Sequence, residues 1–213
     1  MNQAANLPDS YDRLAAEYAE RIYGELAHKP FDRQWLDRFA NKVRGLGPVC
    51  DMGCGPGQVA RYLRDRGAAA LGVDLSPGMV QIARQLNPDI EFQVGNMLAL
   101  EAADNAWAGI AAFYSIIHIP RHQVVEALQE LKRVLRPGGL LLLTFHLGQE
   151  DVHVEELWGY PVSLDFAFFQ RQEMEGYLQT AGFALMESVE RPPYPDVEYQ
   201  SHRAYILAQK PGK

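Results

Sequence analysis

Apolar residues recur along the chain with two spacings, one typical of amphipathic helices and one typical of buried strands. Helix-like faces, with apolar residues three or four positions apart, occur in three segments: residues 11–22, 124–135 and 174–181. Short apolar runs typical of buried strands begin at Val49 and at four later places: residues 68–73, 90–94, 110–119 and 140–145. Strands that alternate with helices predict an α/β protein built on a parallel sheet.

The length and composition fit one domain of this class. The chain has 213 residues, of which 47% are hydrophobic, and this is enough for one sheet of six or seven strands. No internal repeat and no Gly-, Pro- or Ser-rich linker divides it. The longest apolar stretch, residues 106–117, is shorter than the ~18 residues that span a membrane. The polar start, residues 1–3, does not resemble a signal peptide, so we expect a cytoplasmic protein without a membrane partner.

Charge and cysteine content narrow the function classes further. The formal net charge of -7 and the pI near 5.4 argue against nucleic acid as a partner and favour a small molecule. Cys50 and Cys54 are the only cysteines, and their spacing fits neither a zinc nor a redox site. We therefore interpret them as small buried thiols of a protein in a reducing compartment.

A glycine-rich loop follows the first apolar run. Residues 49–60 are Val-Cys-Asp-Met-Gly-Cys-Gly-Pro-Gly-Gln-Val-Ala, with three alternating glycines after Asp51. Glycine lacks the Cβ atom that would hold a ligand away from the backbone, and it tolerates the positive φ of a sharp turn. Where a strand passes into a helix, such loops bind small-molecule cofactors through backbone N–H groups.

The glycine spacing leaves the cofactor class open. The dinucleotide pattern Gly-x-Gly-x-x-Gly/Ala fails when it is read from Gly53, because Gln58 takes the third place. It fits when it is read from Gly55, with Ala60 in that place, so a nicotinamide cofactor remains an alternative. Asp51 argues against it, because a carboxylate at the strand end would repel a pyrophosphate and attract a cation.

A second acid and the later segments point to a known family. Asp74 closes the second apolar run, where a carboxylate accepts hydrogen bonds from both hydroxyls of a ribose. With the glycine loop it resembles motifs I and II of the class I methyltransferases that use S-adenosylmethionine (SAM). The resemblance continues through residues 95–98 as motif III, residues 110–119 as motif IV and the Arg-Pro-Gly-Gly of residues 136–139.

This resemblance implies a fold and a cofactor. The expected fold is a Rossmann-like, seven-stranded, mostly parallel sheet with helices on both faces, forming a single methyltransferase domain over residues 1–213. The expected cofactor is SAM, with S-adenosylhomocysteine (SAH) as the product. In the family, the first acid faces the methionine ammonium, the second acid holds the ribose, and a third acid binds the adenine amine. Asn96 stands in that third place here, and its amide oxygen is a neutral and therefore weaker acceptor.

The expected cofactor-binding residues belong to four parts of the chain: the N-terminal helix, the glycine loop, the ends of the second and third strands, and motif IV. They are Tyr11, Tyr18, Asp51, Gly53, Cys54, Gly55, Asp74, Leu75, Met79, Asn96, Met97, Ser115 and Ile116.

Missing motifs restrict the acceptor. The chain lacks the Asp/Asn-Pro-Pro-aromatic motif of the DNA and RNA amino-methyltransferases and the nucleophilic cysteine of the cytosine C5 enzymes. It also lacks acidic ligands for magnesium after the fourth strand, where Glu126 is the nearest carboxylate, so we expect no metal. If the acceptor must lose a proton, His118 and His146 are candidate bases near the carboxyl edge of the sheet.

Two segments are expected to enclose the acceptor. Residues 1–45 are predicted to form an N-terminal helical lid, in which Tyr11 and Tyr18 pack in the core or contact the cofactor. Residues 147–169 are predicted to form a cap, with acids that are solvated unless one points inward toward a cationic amine. Arg203 is expected to pair with Glu198, the alternative being a clamp on a substrate carboxylate.

The sequence thus predicts metal-independent SN2 methyl transfer from SAM to an oxygen or nitrogen atom of a small molecule. Another SAM-using reaction on the same fold, such as cyclisation, is an alternative. An NAD-dependent dehydrogenase and a noncatalytic SAM-binding protein are further ones. The sequence is compatible with a homodimer.

Overall fold

A computed structural model describes residues 3–212, with side chains from Leu7 onward. The α-helices are α1 (Gln3–Ile22), α2 (Pro30–Val43), α3 (Gln58–Asp65), α4 (Pro77–Leu86), α5 (Val124–Val134) and α6 (Arg171–Thr180). The strands are β1 (Pro48–Met52), β2 (Ala69–Asp74), β3 (Glu91–Val94), β4 (Trp107–Phe113), β5 (Leu135–His146), β6 (Val152–Leu157), β7 (Tyr160–Phe166), β8 (Ala184–Arg191) and β9 (Arg203–Gln209).

Seven of these strands form one mostly parallel sheet, which confirms the predicted fold. Its order is β3-β2-β1-β4-β5-β9-β8. Strands β1 to β5 pair in parallel, while β9 runs antiparallel to both β5 and β8. The chain moves outward from β1 to β3 and then returns to β4 beside β1. In open α/β sheets, ligands bind at the carboxyl ends of the strands beside such a reversal.

Helices cover both faces of the sheet because successive residues of its inner strands point to opposite sides. In β5, Leu141 and Leu143 lie in the core formed with α5 and α6, whereas Leu140 and Leu142 lie in the core formed with α2 and α3. The four leucines are all buried. This explains the unbroken apolar run of β5, since a strand covered on both faces has no polar side.

Two predicted boundaries are wrong. The run 110–119 is not one strand, because β4 ends at Phe113 and residues Ile116–His118 form a short 3-10 helix. Tyr114 has a φ of 53°, which turns the chain out of the strand. Leu135 starts β5 instead of ending α5, because it pairs with Trp107 across a bulge.

An N-terminal helix and a hairpin lie together over one end of the sheet. Strands β6 and β7 form a separate antiparallel hairpin. Leu14 of α1 is fully buried against Val162 and Leu164 of β7. At the other side of α1, the Asp12 carboxylate accepts a hydrogen bond from the Gly78 N–H at 2.7 Å. Residues 1, 2 and 213 of the predicted domain lie outside the described residues.

No helix within the described part of the chain is both long and apolar enough to cross a bilayer.

Candidate active site

A cavity of about 560 Å³ opens at the carboxyl ends of the parallel strands, beneath α1 and the hairpin. Side chains and backbone from all four predicted parts of the chain line it. The predicted site residues that line it are Tyr11, Tyr18, Asp51, Gly53, Cys54, Gly55, Asp74, Leu75, Met79, Asn96, Met97, Ser115, His118 and His146. The fold therefore brings together nearly the whole predicted set.

Ile116 is the exception. Its side chain is fully buried in the core on the α5 face and does not line the cavity, whereas Ser115 and Ile117 do. The sequence predicts an extended strand over residues 110–119. Because the strand has already ended and the chain turns tightly, the residue after Ser115 points into the core.

The glycine loop has the backbone geometry that its sequence predicts. Gly53, Gly55 and Gly57 have φ values of 69°, 51° and 89°. A Cβ atom on Gly53 would lie 2.3 Å from the Ser115 Cβ, so this glycine permits the contact between the β1 and β4 ends. A Cβ on Gly55 would meet only the Tyr18 ring, at 3.7 Å, which leaves room for a ligand along this backbone.

Asp51 lies at the end of β1 with its carboxylate at the cavity wall. Its Oδ2 accepts a hydrogen bond from the Ala60 N–H at 2.9 Å, at the first turn of α3. The side chain is 1% exposed, and this burial raises the pKa of Asp51 to about 8. A cation beside it would restore the ionised form, since opposite charge favours a carboxylate.

Asp74 lies at the end of β2 and is only partly buried. Its Oδ2 accepts from the Gly55 N–H at 2.8 Å and its Oδ1 accepts from the Ser76 N–H at 2.9 Å. Burial raises the pKa of Asp74, although these backbone hydrogen bonds lower it. A carboxylate has about four acceptor positions, so Asp74 can still accept from two hydroxyl groups of a ligand.

Among the described residues that line the cavity, three have a buried polar side-chain atom without a hydrogen-bond partner: the Gln58 Oε1, the Ser115 Oγ and the Arg203 Nε. The amide nitrogen of Gln58 donates to Glu25 at 3.3 Å, which leaves its carbonyl oxygen as an acceptor. Buried polar atoms of this kind are costly unless a ligand or water completes them. An unpartnered acceptor in the same cavity as Asp51 fits the ammonium of a SAM-like molecule.

The side of the cavity assigned to adenine is formed by the ends of β2 and β3. Met79 is 1% exposed and Met97 is 8% exposed, so both give an apolar surface beside Leu75. Asn96 is exposed, and its Oδ1 already accepts from the Leu98 N–H at 2.9 Å. The second lone pair of this oxygen remains for an exocyclic amine.

Tyr11 and His118 join the N-terminal helix to the sheet. The His118 Nδ1 lies 3.0 Å from the carbonyl oxygen of Asp165, which can only accept, so Nδ1 carries the proton. The Tyr11 hydroxyl therefore donates to the His118 Nε2 at 2.7 Å. Burial lowers the pKa of His118 to about 4 and keeps the ring neutral. Because both ring nitrogens of His118 are hydrogen-bonded, the Tyr11 hydroxyl lies between His118 and a ligand in the cavity.

His146 ends β5 within a group of aromatic rings. Its ring stacks on Phe168 at 5.3 Å between centroids and lies 5.1 Å from the Tyr114 ring and 5.9 Å from the Tyr199 ring. Its Nδ1 lies 2.7 Å from the Ser201 Oγ. Burial lowers the pKa of His146 to about 3, with Arg203 and Lys29 adding to the effect.

The acids of the predicted cap do not point inward. Glu150, Asp151, Glu155 and Glu156 are all exposed, as expected for a solvated face. The cap instead contributes apolar and aromatic side chains to the cavity. Arg203 forms the expected pair with Glu198, with 3.2 Å between Nε and Oε2, and it also lines the cavity.

Several lining residues with polar side chains are not predicted from the sequence: Glu25, Lys29, Gln58 and Glu198. Gln58 directly follows the last loop glycine, which is a usable signal. The others come from segments without a motif, between α1 and α2 and before β9, and reach the cavity only through tertiary packing.

Part of the chain is similar to known methyltransferases. Residues 49–139 match the family described as "Methyltransferase domain". The chain is 35% identical to the malonyl-[acyl-carrier protein] O-methyltransferase of Salmonella typhimurium over 63% of this chain and 51% of that protein. It spans about half to three fifths of the length of the first curated relatives that it matches.

Solved structures show the same fold. A SAM-dependent methyltransferase from Methanosarcina mazei superposes with a TM-score of 0.73 at 17% identity, covering 81% of this chain and 96% of that one. The [4+2]-cyclase SpnF superposes with a TM-score of 0.67 at 21% identity, covering 85% and 82%. The fold is therefore shared by proteins named for methyl transfer and by one named for cyclisation.

Proposed function

We infer that the chain is a class I SAM-dependent methyltransferase, and we propose that it transfers a methyl group from SAM to an oxygen or nitrogen atom of a small molecule. One observation carries the proposal. A single cavity brings together the backbone of Gly55, the carboxylates of Asp51 and Asp74 and the unpartnered Gln58 carbonyl. These groups suit a ligand with an ammonium and a ribose and without phosphate.

The residues that would hold SAM follow from their chemistry. Asp51 and Gln58 would accept from the methionine ammonium, Asp74 would accept from the ribose hydroxyls, and Asn96 would accept from the adenine amine. When bound, SAM would supply an electrophilic methyl group to a nucleophilic atom of the acceptor.

The contribution of the protein to methyl transfer is to orient the acceptor and exclude water. Tyr11 and Tyr18 lie on α1 with their rings 5.8 Å apart, and Tyr18 lies 5.7 Å from Trp158 of the hairpin. These rings close one side of the cavity. We propose that α1 is the lid and the hairpin the cap, with the Tyr11–His118 hydrogen bond holding the lid to the sheet.

We assign the role of proton acceptor to His146, because the nitrogens of His118 are engaged. Replacing His146 with alanine should lower kcat about 10- to 100-fold, near the low end for a general base, since a depressed pKa makes a weak base. The Kd for SAH should change less than about twofold. Because the pKa of His146 is near 3, the neutral form persists and His146 should cause no loss of kcat between pH 8 and pH 5. An unchanged kcat in this variant would mean that positioning alone supports turnover.

Binding of SAH should release a proton near neutral pH. The raised pKa of Asp51 keeps its carboxyl mostly protonated below pH 8 in the free protein, and the ligand ammonium favours the carboxylate. The affinity for SAH should therefore rise about tenfold per pH unit between pH 6 and pH 7 and level off above pH 8, where Asp51 is already ionised in the free protein. Calorimetry in buffers of different ionisation enthalpy measures the release. The Asp51→Asn variant should release no proton when it binds SAH. If the wild-type protein also releases no proton, Asp51 does not contact the ammonium.

Product analysis tests the proposed reaction. The protein is incubated with SAM that carries a deuterated methyl group and with matched panels of hydroxy, carboxylic and amino compounds, and the products are identified by mass spectrometry. Methyl transfer predicts a product that carries the label together with SAH. A rearranged or cyclised product without the label would favour the cyclase alternative, and tight SAM binding without any product would favour a noncatalytic role.

We propose a cytoplasmic location and a small-molecule partner. The thiols of Cys50 and Cys54 are both buried and unpaired, which suits a reducing compartment.

A further inference from the structure

A buried network of charged side chains forms the wall of the cavity beside His146. Arg191 donates to Asp32 at 2.8 Å and to Glu198 at 2.5 Å. Glu198 also lies 3.2 Å from Arg203 and 3.5 Å from Lys29. All five side chains are at most 7% exposed. Charges are buried this deeply only when partners compensate them.

Within this network the cations exceed the carboxylates. Three cations share the two carboxylates of Asp32 and Glu198. A third carboxylate, Glu25, binds Lys29 at 2.5 Å from the side of the glycine loop, and its side chain is 18% exposed. The deep part of the network therefore has one more positive than negative charge, and Glu25 balances it from the rim.

Arg203 leaves part of its hydrogen-bonding capacity unused. Its terminal nitrogens donate to the backbone carbonyls of Ser201 at 2.6 Å and Tyr199 at 2.8 Å. Its buried Nε has no aligned acceptor, although Glu198 is close by. Arg203 and Lys29 both line the cavity, and each cationic group lies 5.7 Å from the centroid of the Tyr114 ring.

The electrostatic effect of these two cations reaches the cavity itself. Arg203 and Lys29 both lower the pKa of His146, and each has a larger effect than Glu198, which raises it. The rings of Tyr114, Phe168 and Tyr199 surround the His146 ring, and the Ser201 hydroxyl lies 2.7 Å from its Nδ1. A ligand group that fits here has a negative charge and a flat apolar body beside it.

We propose that this end of the cavity binds a carboxylate of the methyl acceptor through Lys29 and Arg203, with the apolar body of the acceptor against Phe168 and Tyr199. The inference rests on the proposed function and specifies its substrate class. It also changes the role of Arg203, which pairs with Glu198 and at the same time presents its charge to the acceptor. Tyr199 is 62% exposed, which places this end next to solvent and gives the acceptor a route of entry.

The carboxylate of the methionine half of SAM has the same chemistry, so the test must separate the two sources. The protein is first saturated with SAH, which fills any methionine carboxylate site. Benzoate, its neutral amide benzamide and its cationic analogue benzylamine are then titrated against the complex, with ligand-observed NMR as the readout. Benzoate should bind at least about tenfold more tightly than benzamide, as expected for a charge-assisted contact in a buried site, and benzylamine should bind least.

Variants assign the preference to this network. Arg203→Gln should remove the preference for benzoate while the Kd for SAH changes less than about twofold. The control is Arg38→Gln, because Arg38 pairs with Glu187 on the surface. This variant should leave both the preference for benzoate and the Kd for SAH unchanged. The wild-type comparison needs no variant and decides the inference even if Arg203→Gln does not fold.

Three results would overturn the inference, and they differ from failure of the proposed function. Equal binding of benzoate and benzamide would show that no anion site faces the acceptor. A benzoate preference that survives Arg203→Gln would place the anion site elsewhere. Loss of SAH affinity in Arg203→Gln would assign the network to the methionine carboxylate. A protein that binds no SAH in the first titration would instead contradict the proposed function.

Discussion

Replacing Asp74 with alanine should weaken the binding of SAH by about 1.5–3 kcal/mol, or roughly 10- to 150-fold, the range for hydrogen bonds to a charged group. The carboxylate lies at the end of β2, lines the cavity and holds the backbone N–H groups of Gly55 and Ser76. Its loss removes the acceptor that we assign to the ribose and loosens the loop beside it. Calorimetric titration of SAH measures the effect.

The matched control is Asp89→Ala. Asp89 pairs with Arg61 at 2.7 Å on the surface and does not line the cavity, so its removal should leave SAH affinity unchanged. Circular dichroism of both variants shows whether the fold survives. Wild-type affinity in Asp74→Ala would remove the ribose assignment.

Replacing Glu198 with glutamine should destabilise the protein by about 3–5 kcal/mol, because removing one partner of a buried ion network leaves uncompensated charge. The Glu198 carboxylate, 2% exposed, lies within reach of Lys29, Arg191 and Arg203. Burial alone would raise its pKa, but hydrogen bonds from Arg191 and the nearby cations hold the pKa of Glu198 below its ordinary value. Its contribution should therefore be present at neutral pH and be lost as the pH falls below about 4.

Urea unfolding at pH 7 and near pH 3 measures this difference. Glu187→Gln makes the same chemical change in an exposed pair with Arg38 and should cost at most about 1 kcal/mol. Equal losses in the two variants would mean that the buried network does not hold the loop before β9 in place.

The cofactor side of the site could be predicted because its residues are local in sequence. Asp51, the glycine loop and Asp74 lie directly at the ends of β1 and β2, and parallel strands bring such ends to one edge. The positive φ values of the loop follow from its glycines. Ile116 was misplaced because periodicity gave no sign that Tyr114 turns the chain before it.

The acceptor side could not be predicted in the same way. Asp32 and Arg191 are 159 residues apart in the chain and meet only because α2 packs near the end of β8. The pairing of Arg203 with Glu198 was predicted, since they are close in sequence, but the sharing of Glu198 with Lys29 was not. Such contacts depend on tertiary packing, which carries no local pattern.

The most direct test of the central claim, that the cavity at Asp51 and Asp74 is a SAM site, is one calorimetric titration of SAH into the wild-type protein, repeated in the presence of excess NAD. We expect one SAH to bind per chain, with the same affinity whether or not NAD is present. Absence of binding by SAH, or its displacement by NAD, would contradict the assignment.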